Sequence, residues 1–280
     1  MKRQLNISDR KDAALPPVKP GLQKLAEPLE KPARRLSVRY SDKGENMRFY
    51  VSEKVFEMIP DAQFGLVSVE GGDNRGEEKE IADLLNKSIE ECSEHFKDKK
   101  VKNEPELQPY REAFRAMGIN PNRYMCAAEA LMTRVAKGQG MHSINKIVDM
   151  GNALSYKYII PIGAHDLDSM IGDFGVRPAV EGDTFLPFGA EEREPVPEGE
   201  VVYVTGNHVR TRRWTWRQGD EGKITEETGH VLFIIDGFES NLDSVMKCRQ
   251  ELADLCRKYL GGKVKEGLIN KENMEFETQL

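Results

Sequence analysis

The 280-residue sequence predicts an α+β fold in which flanking helices surround a small mixed β-barrel or curved sheet. Three observations carry that expectation. Apolar residues recur at helical spacing through much of the stretch from Lys79 to Tyr158. Short β-branched and aromatic runs, parted by Gly and acidic turns, follow from Tyr158 to Phe238. A long amphipathic pattern, Asn241–Leu260, then closes the domain against Gly261-Gly262.

In chain order, residues 1–46 stand apart. Pro16, Pro17, Pro20, Pro28 and Pro32 interrupt any helix, and few large apolar side chains accompany the scattered Lys and Arg. That composition does not offset the entropy of folding, so a Pro-rich flexible arm is expected. A domain then runs from Met47 to residue 262. Arg48–Val51 and Phe64–Val69 read as strands, the second ended by Gly71-Gly72. Lys79–Phe96 reads as a helix, with Ile81, Leu84, Leu85, Cys92 and Phe96 on one face. Glu104–Met117, stopped by Gly118, Tyr124–Lys137 and Ile144–Tyr158 read as three more. Strands are expected at Tyr158–Ile162, Phe174–Pro178, Val201–Thr205, Arg210–Trp216 and Val231–Phe238. Residues 263–280 are polar and read as a frayed C-terminal tail.

Composition narrows the function. Acidic side chains outnumber basic ones, 47 to 41, for a net charge of −6. Any contact with nucleic acid must therefore be a local patch or one end of an RNA. Cys92, Cys126, Cys248 and Cys256 form no C-x-x-C pair and read as buried reduced thiols rather than disulfides or zinc ligands. No apolar run reaches the ~18 residues of a membrane span, and no signal-type apolar region opens the chain. A cytoplasmic protein with no membrane partner and no metal or other cofactor is expected.

The densest polar pattern lies in SINKIVDMGNALSYKYIIPIGAHDLD, Ser143 to Asp168. Ser143 or Asn145 can cap a helix whose Ile147, Val148 and Leu154 form an apolar stripe. Asp149 and Asn152, three apart, share a face of that helix. Asn and Asp are mediocre helix formers, so their concentration here reads either as capping or as a site. His165 is either a loop imidazole bonded to Asp166 or a hydrogen-bond donor to substrate. Asp220 is either a solvated turn residue or a carboxylate that accepts a hydroxyl or pairs with an α-ammonium. Arg210, Arg212, Arg213 and Arg217 with Trp214 and Trp216 form a basic-aromatic cluster. Such a cluster can clamp phosphates and stack bases, or it can bury Trp in the core and pair Arg with the acidic stretch Glu191–Glu200.

The segment resembles the editing region of the bacterial phenylalanyl-tRNA synthetase β subunit, which carries S-I-N-x-V-V-D-x-x-N-Y-V, a Pro, and an aromatic flanked by D-L-D or D-A-D. The matching positions are Ser143, Ile144, Asn145, Val148, Asp149, Asn152, Pro161, Asp166 and Asp168. A second match, Lys223-Ile224-Thr225-Glu226-Glu227-Thr228 before Val231-Leu232-Phe233, resembles that family's V-T-x-E-T turn. The resemblance covers roughly residues 47–260 and implies a B3/B4-type domain. It further implies binding of a tRNA acceptor end, with an amino acid or aminoacyl ester in a pocket and hydrolysis of a mischarged ester by activated water.

On that implied reading, His165, Asn145 and Asp220 are the candidate catalytic residues. Asp149, Asn152, Gly163, Asp166, Thr225 and Glu226 would surround substrate. Arg212, Arg213, Trp214, Trp216 and Arg217 would hold the RNA end. Ligase motifs are absent, so a free-standing module rather than a complete ligase is expected. One departure opens an alternative: Gly163 stands where the family usually places His, which favours a non-catalytic tRNA- or amino-acid-binding module. The oligomeric state is open.

Overall fold

An unbroken apolar run, residues 231–235, decides the architecture. The computed structural model describes residues 46–279, so the expectation of an arm at 1–46 lies essentially outside the described residues. The chain runs β1 (Asn46–Val51), α1 (Glu53–Met58), β2 (Ala62–Glu70), α2 (Lys79–Phe96), α3 (Gln108–Ala116), α4 (Ala127–Ala136), α5 (Lys146–Tyr158), β3 (Ile162–Asp166) and β4 (Phe174–Pro178). It continues through β5 (Thr184–Phe185), β6 (Glu194–Pro195), β7 (Val201–Thr205), β8 (His208–Arg212), β9 (Arg217–Gln218), β10 (Val231–Phe238), α6 (Leu242–Tyr259), β11 (Lys263–Ile269) and β12 (Glu275–Gln279). The α+β class is as the sequence predicts.

Two open sheets result, and no barrel closes among the described residues. One sheet has the order β12-β1-β4-β7-β8-β5-β6, with β9 paired to β8; the other has the order β11-β2-β10-β3. Along β10, Leu232 and Ile234 point between the sheets, into a core shared with Phe49, Phe174, Tyr203 and Trp214. Val231, Phe233 and Ile235 point the other way, onto Ile81, Ile147, Leu154, Val245 and Leu252 from α2, α5 and α6. The two-residue period of a strand thus feeds two cores at once. A third, smaller cluster covers the outer face of the larger sheet, where Val202, Val204 and Val209 meet Phe185 and Val196.

Five sequence expectations need correction. The stretch expected as a strand at Tyr158–Ile162 is the end of α5, where Ile159 takes a left-handed φ of 56° and the strand starts only at Ile162. The strand expected at Arg210–Trp216 stops at Arg212, because Arg213 and Trp214 have φ of 48° and 56° and turn the chain. Glu104–Met117 begins as a 3-10 turn and becomes α-helical only at Gln108, and the next helix starts at Ala127 rather than Tyr124. Expected as a frayed tail at 263–280, the stretch is ordered over its described residues 263–279: β11 pairs with β2 and β12 with β1, both antiparallel. The polarity of this stretch reflects edge positions in both sheets rather than a lack of structure.

All four cysteines are buried free thiols, as the sequence predicts. Among the described residues no helix is long and apolar enough to cross a membrane.

Candidate functional site

The start of α5 is built as the capping signal predicts. Asn145 Oδ1 accepts from the Val148 N–H at 3.0 Å. Asp149, one turn on, reaches back to tie down the preceding loop: it accepts from Ser143 Oγ at 2.5 Å and from the Ile144 N–H at 2.9 Å. Asn74 completes the frame. Its Oδ1 accepts from the Ile147 N–H at 3.0 Å, and its Nδ2 donates to the Thr225 carbonyl at 2.7 Å. This buried side chain joins the loop after β2, the helix start and the turn before β10. A lone Asn in a polar loop carries no periodic signal, so nothing local marks it.

Two cavities adjoin this frame, and a third lies behind β3. A polar groove of about 460 Å³ is lined by Asn145, Asp149 and Glu226 together with Lys79 and Lys146. A more apolar cleft of about 270 Å³ lies beyond Ile144, walled by Ile147, Val148, Ile162 and Ile224, with Asn152, Gln218 and Lys223 as its polar groups. Its rim carries two exposed apolar side chains, Ile144 at 62 % and Phe188 at 57 %. Lys223 Nζ stands 5.6 Å from the Phe188 ring centroid and pairs with Asp220 at 3.1 Å. Behind β3, between the two sheets, lies a third cavity of about 70 Å³, lined by Gly163, His165, Tyr203, Trp214, Trp216 and Asp236 among others.

The expected site residues therefore do not share one cavity. Asn145, Asp149 and Glu226 line the groove, Asn152 lines the cleft, and Gly163 and His165 line the inter-sheet cavity. Asp220 and Thr225 line none of the three, although Asp220 fixes the lysine of the cleft. Thr225 shapes a turn: its N–H donates to Thr228 Oγ1 at 3.0 Å. Asp166 caps the short helical turn after β3 by accepting from the Asp168 N–H at 3.0 Å. Burial and the neighbouring Asp168 push its carboxyl up to about 6.

His165 is not the loop imidazole bonded to Asp166. It is buried, stacked on Tyr203 with ring centroids 5.5 Å apart, and burial pushes its pKa down to about 3. A permanently neutral ring of this kind is a poor general acid or base near neutral pH.

The basic-aromatic cluster divides. Trp214 is wholly buried at 0 % exposure, and its indole N–H donates to Asp236. Arg212 is buried and holds Glu200 and Glu194. Both are thereby withdrawn from any RNA, which corrects that expectation. Arg213 sits over the Tyr124 and Trp216 rings, 4.1 and 4.5 Å from their centroids, and also reaches Glu200. Arg217 is the exposed member, at the mouth of the inter-sheet cavity. Among the described residues no cluster of His, Cys, Asp and Glu is placed to hold a metal ion.

The chain is similar to known proteins. The B3/4 domain model matches residues 109–254, just over half of the chain. The phenylalanine–tRNA ligase β subunit of Oceanobacillus iheyensis is 22 % identical over 233 residues, covering 71 % of this chain and 28 % of that protein. The chain thus spans well under a third of the length of this curated relative. A solved N-terminal fragment of the Pyrococcus horikoshii phenylalanyl-tRNA synthetase β subunit aligns over 86 % of this chain and 56 % of its own, at 13 % identity and a TM-score of 0.40. The chain belongs to the B3/4 domain family.

Proposed function

We propose that this protein binds the aminoacylated 3′ end of a tRNA at the cleft beside the start of α5. The observation that carries the reading is the composition of that cleft. Apolar walls from Ile147, Val148, Ile162 and Ile224 suit an amino-acid side chain, while Asn152, Gln218 and Lys223 offer polar atoms to its ester and ammonium. At the rim, exposed Phe188 offers a face for an unpaired base and Lys223 a charge for phosphate. The similarity to a phenylalanine–tRNA ligase β subunit supports tRNA as the partner.

Asn145, Asp149 and Asn74 act in this reading as the frame that holds the cleft open, through the bonds described above. Asp220 positions Lys223. Trp216 and Arg217 lie beside Gln218 and extend the basic-aromatic surface from the cleft.

A second reading adds hydrolysis of a mischarged ester in trans. It is favoured by Gln218 and Asn152, neutral amides placed in one cleft, since an aminoacyl ester is already activated and needs little beyond positioning and oxyanion donors. Against a general-base route stands His165, on the far side of β3 and neutral.

Filter binding of aminoacyl-tRNA and deacylation of mischarged tRNAs separate the two. Salt-dependent binding that Phe188→Ala and Lys223→Ala weaken, without turnover, supports the binding module. Turnover lost in Asn152→Ala or Gln218→Ala supports hydrolysis. Absence of salt-dependent binding to any tRNA overturns both.

A further inference from the structure

The cavity between the sheets is built differently from the cleft, though Ile162 and Gln218 wall both. At its floor Asp236 is buried, and Tyr203 Oη and Trp214 Nε1 both donate to a single oxygen, Oδ1. Among the described residues no donor reaches the second oxygen, and no Lys or Arg pairs with this carboxylate. Burial without a counter-cation pushes its pKa up to about 7. His165 is equally buried, and its Nδ1 has no hydrogen-bond partner among the described residues. Thr215 Oγ1, in the same lining, is also without a partner.

Buried polar atoms are rarely left in this state, and two in one cavity, beside a carboxylate with no counter-cation, point to a ligand that supplies donors. Gly163 keeps the place open: a Cβ there would stand 3.1 Å from His165 Nε2. Any side chain at 163 would cover the imidazole, so the departure from the family's usual His uncovers His165 instead. The rings of Tyr203, Trp214 and Trp216 complete the lining, and Trp216 already carries the Arg213 guanidinium over its face. An anion would meet the carboxylate; a hard metal ion would lack the several oxygen ligands it requires.

We infer that this cavity is a receptor for a small primary ammonium group, with Asp236 as counter-ion, His165 and Thr215 as further acceptors, and Tyr203, Trp214 and Trp216 as its aromatic wall. Three acceptors match the three N–H groups of an ammonium. A volume of about 70 Å³ admits that group on a short carbon chain. Arg217 at the mouth would meet a carboxylate, so the source is either a simple amine or the α-ammonium of a free amino acid. The inference needs no tRNA, and its counter-ion and acceptors, Asp236, His165 and Thr215, take no part in the RNA reading.

The test uses the full chain and its own fluorescence, because the protein's two tryptophans both line this cavity. Titration with methylammonium, ethylammonium and glycine, against ethanol and acetate as neutral and anionic controls, reads occupancy directly. Saturable change with the cations and none with the controls is expected. Asp236→Asn keeps an oxygen for Tyr203 and Trp214 but loses the charge, and should weaken amine binding about tenfold or more. Gly163→Val, which fills the mouth and leaves Asp236 in place, should do the same. Arg217→Ala should weaken glycine alone if the natural ligand is an amino acid, and neither ligand if it is a simple amine. No saturable change with any amine, or the same change with ethanol, leaves a water-filled void and overturns the inference, whatever tRNA binding shows.

Discussion

The indole N–H of Trp214 donates to Asp236 Oδ1 over 2.7 Å, joining the turn after β8 to the middle of β10. This bond ties the larger sheet to the smaller one at a point where the chain of β8 has already left strand geometry. It explains how a tryptophan that reads in sequence as a base-stacking residue is a core residue. The left-handed φ of Arg213 and Trp214 swings the indole inward, and a buried carboxylate receives it.

Asp236 predicts a pH dependence of stability. Its folded pKa, about 7, lies above the usual carboxylate value of 3.8, so the folded state binds the proton more tightly than the unfolded chain. Its contribution is therefore largest below about pH 4 and is lost as pH rises towards 7, by at most roughly 4 kcal/mol. Relative to wild type, Asp236→Asn should gain melting temperature steadily between pH 4 and 7, measured by calorimetry; a constant offset would refute the shift.

His165 predicts the opposite slope. Burial lowers its pKa from 6.5 to about 3, so the unfolded chain takes up a proton that the folded protein refuses. Stability from this group is full above pH 6.5 and is lost as pH falls towards 3. In wild type the two slopes oppose each other between about pH 4 and 6.5. His165→Phe should expose the falling Asp236 slope and Asp236→Asn the rising His165 slope, each read from urea midpoints across that range.

Arg111 and Glu129 form a buried ion pair at 2.5 Å, with Arg111 also donating to Asn122 Oδ1 and the Pro121 carbonyl. Removing one partner strands the other charge, so Arg111→Met should cost about 3–5 kcal/mol in urea unfolding. Adding Glu129→Leu should recover much of that loss. A double variant no better than the single one would show that the hydrogen bonds to 121 and 122, rather than the charge, set the cost.

Arg212 and Lys223 separate stability from binding. Arg212, buried against Glu200 and Glu194, should destabilise the fold when changed to Ala, by roughly 2 kcal/mol or more, with tRNA affinity unchanged in the folded fraction. Lys223→Ala should leave the melting temperature within about a degree and reduce the salt slope of tRNA binding by about one. The reverse pattern would move the RNA surface away from the cleft.

Gly237 tests how tightly α6 lies on the sheet. A Cβ there would fall 2.3 Å from Val245 Cγ2, so Gly237→Ala should destabilise by about 1–3 kcal/mol, while Gly237→Ala with Val245→Ala should be better tolerated than either change implies. Thermal melts of the three variants decide it.

Much of the fold was legible in the residues themselves. The boundaries of α2, β4, β7 and β10 follow from local signals that need no partner: helical spacing from Ile81 to Phe96, and β-branched runs such as Val201–Thr205 and Val231–Phe238. The cap at Asn145 was equally legible, because a cap is a bond between residues three apart. What was not legible depends on distant partners. β11 and β12 looked like a tail, since an edge strand rich in Lys and Glu becomes a strand only when β2 and β1 present their open edges.

By itself the sequence determined the α+β class, the strand and helix periods and the kinship to the B3/4 family, all properties of neighbouring residues and their order. Tertiary structure alone decided that Asn145 and His165 face different cavities, that Trp214 belongs to the core, and that Asp236, unremarkable in FIIDGF, sits uncompensated beneath an aromatic wall. The physical reason is that burial and charge pairing are set by which sheet faces which. Two residues 71 apart, His165 and Asp236, become walls of one cavity only after β3 and β10 pair and the larger sheet closes over them.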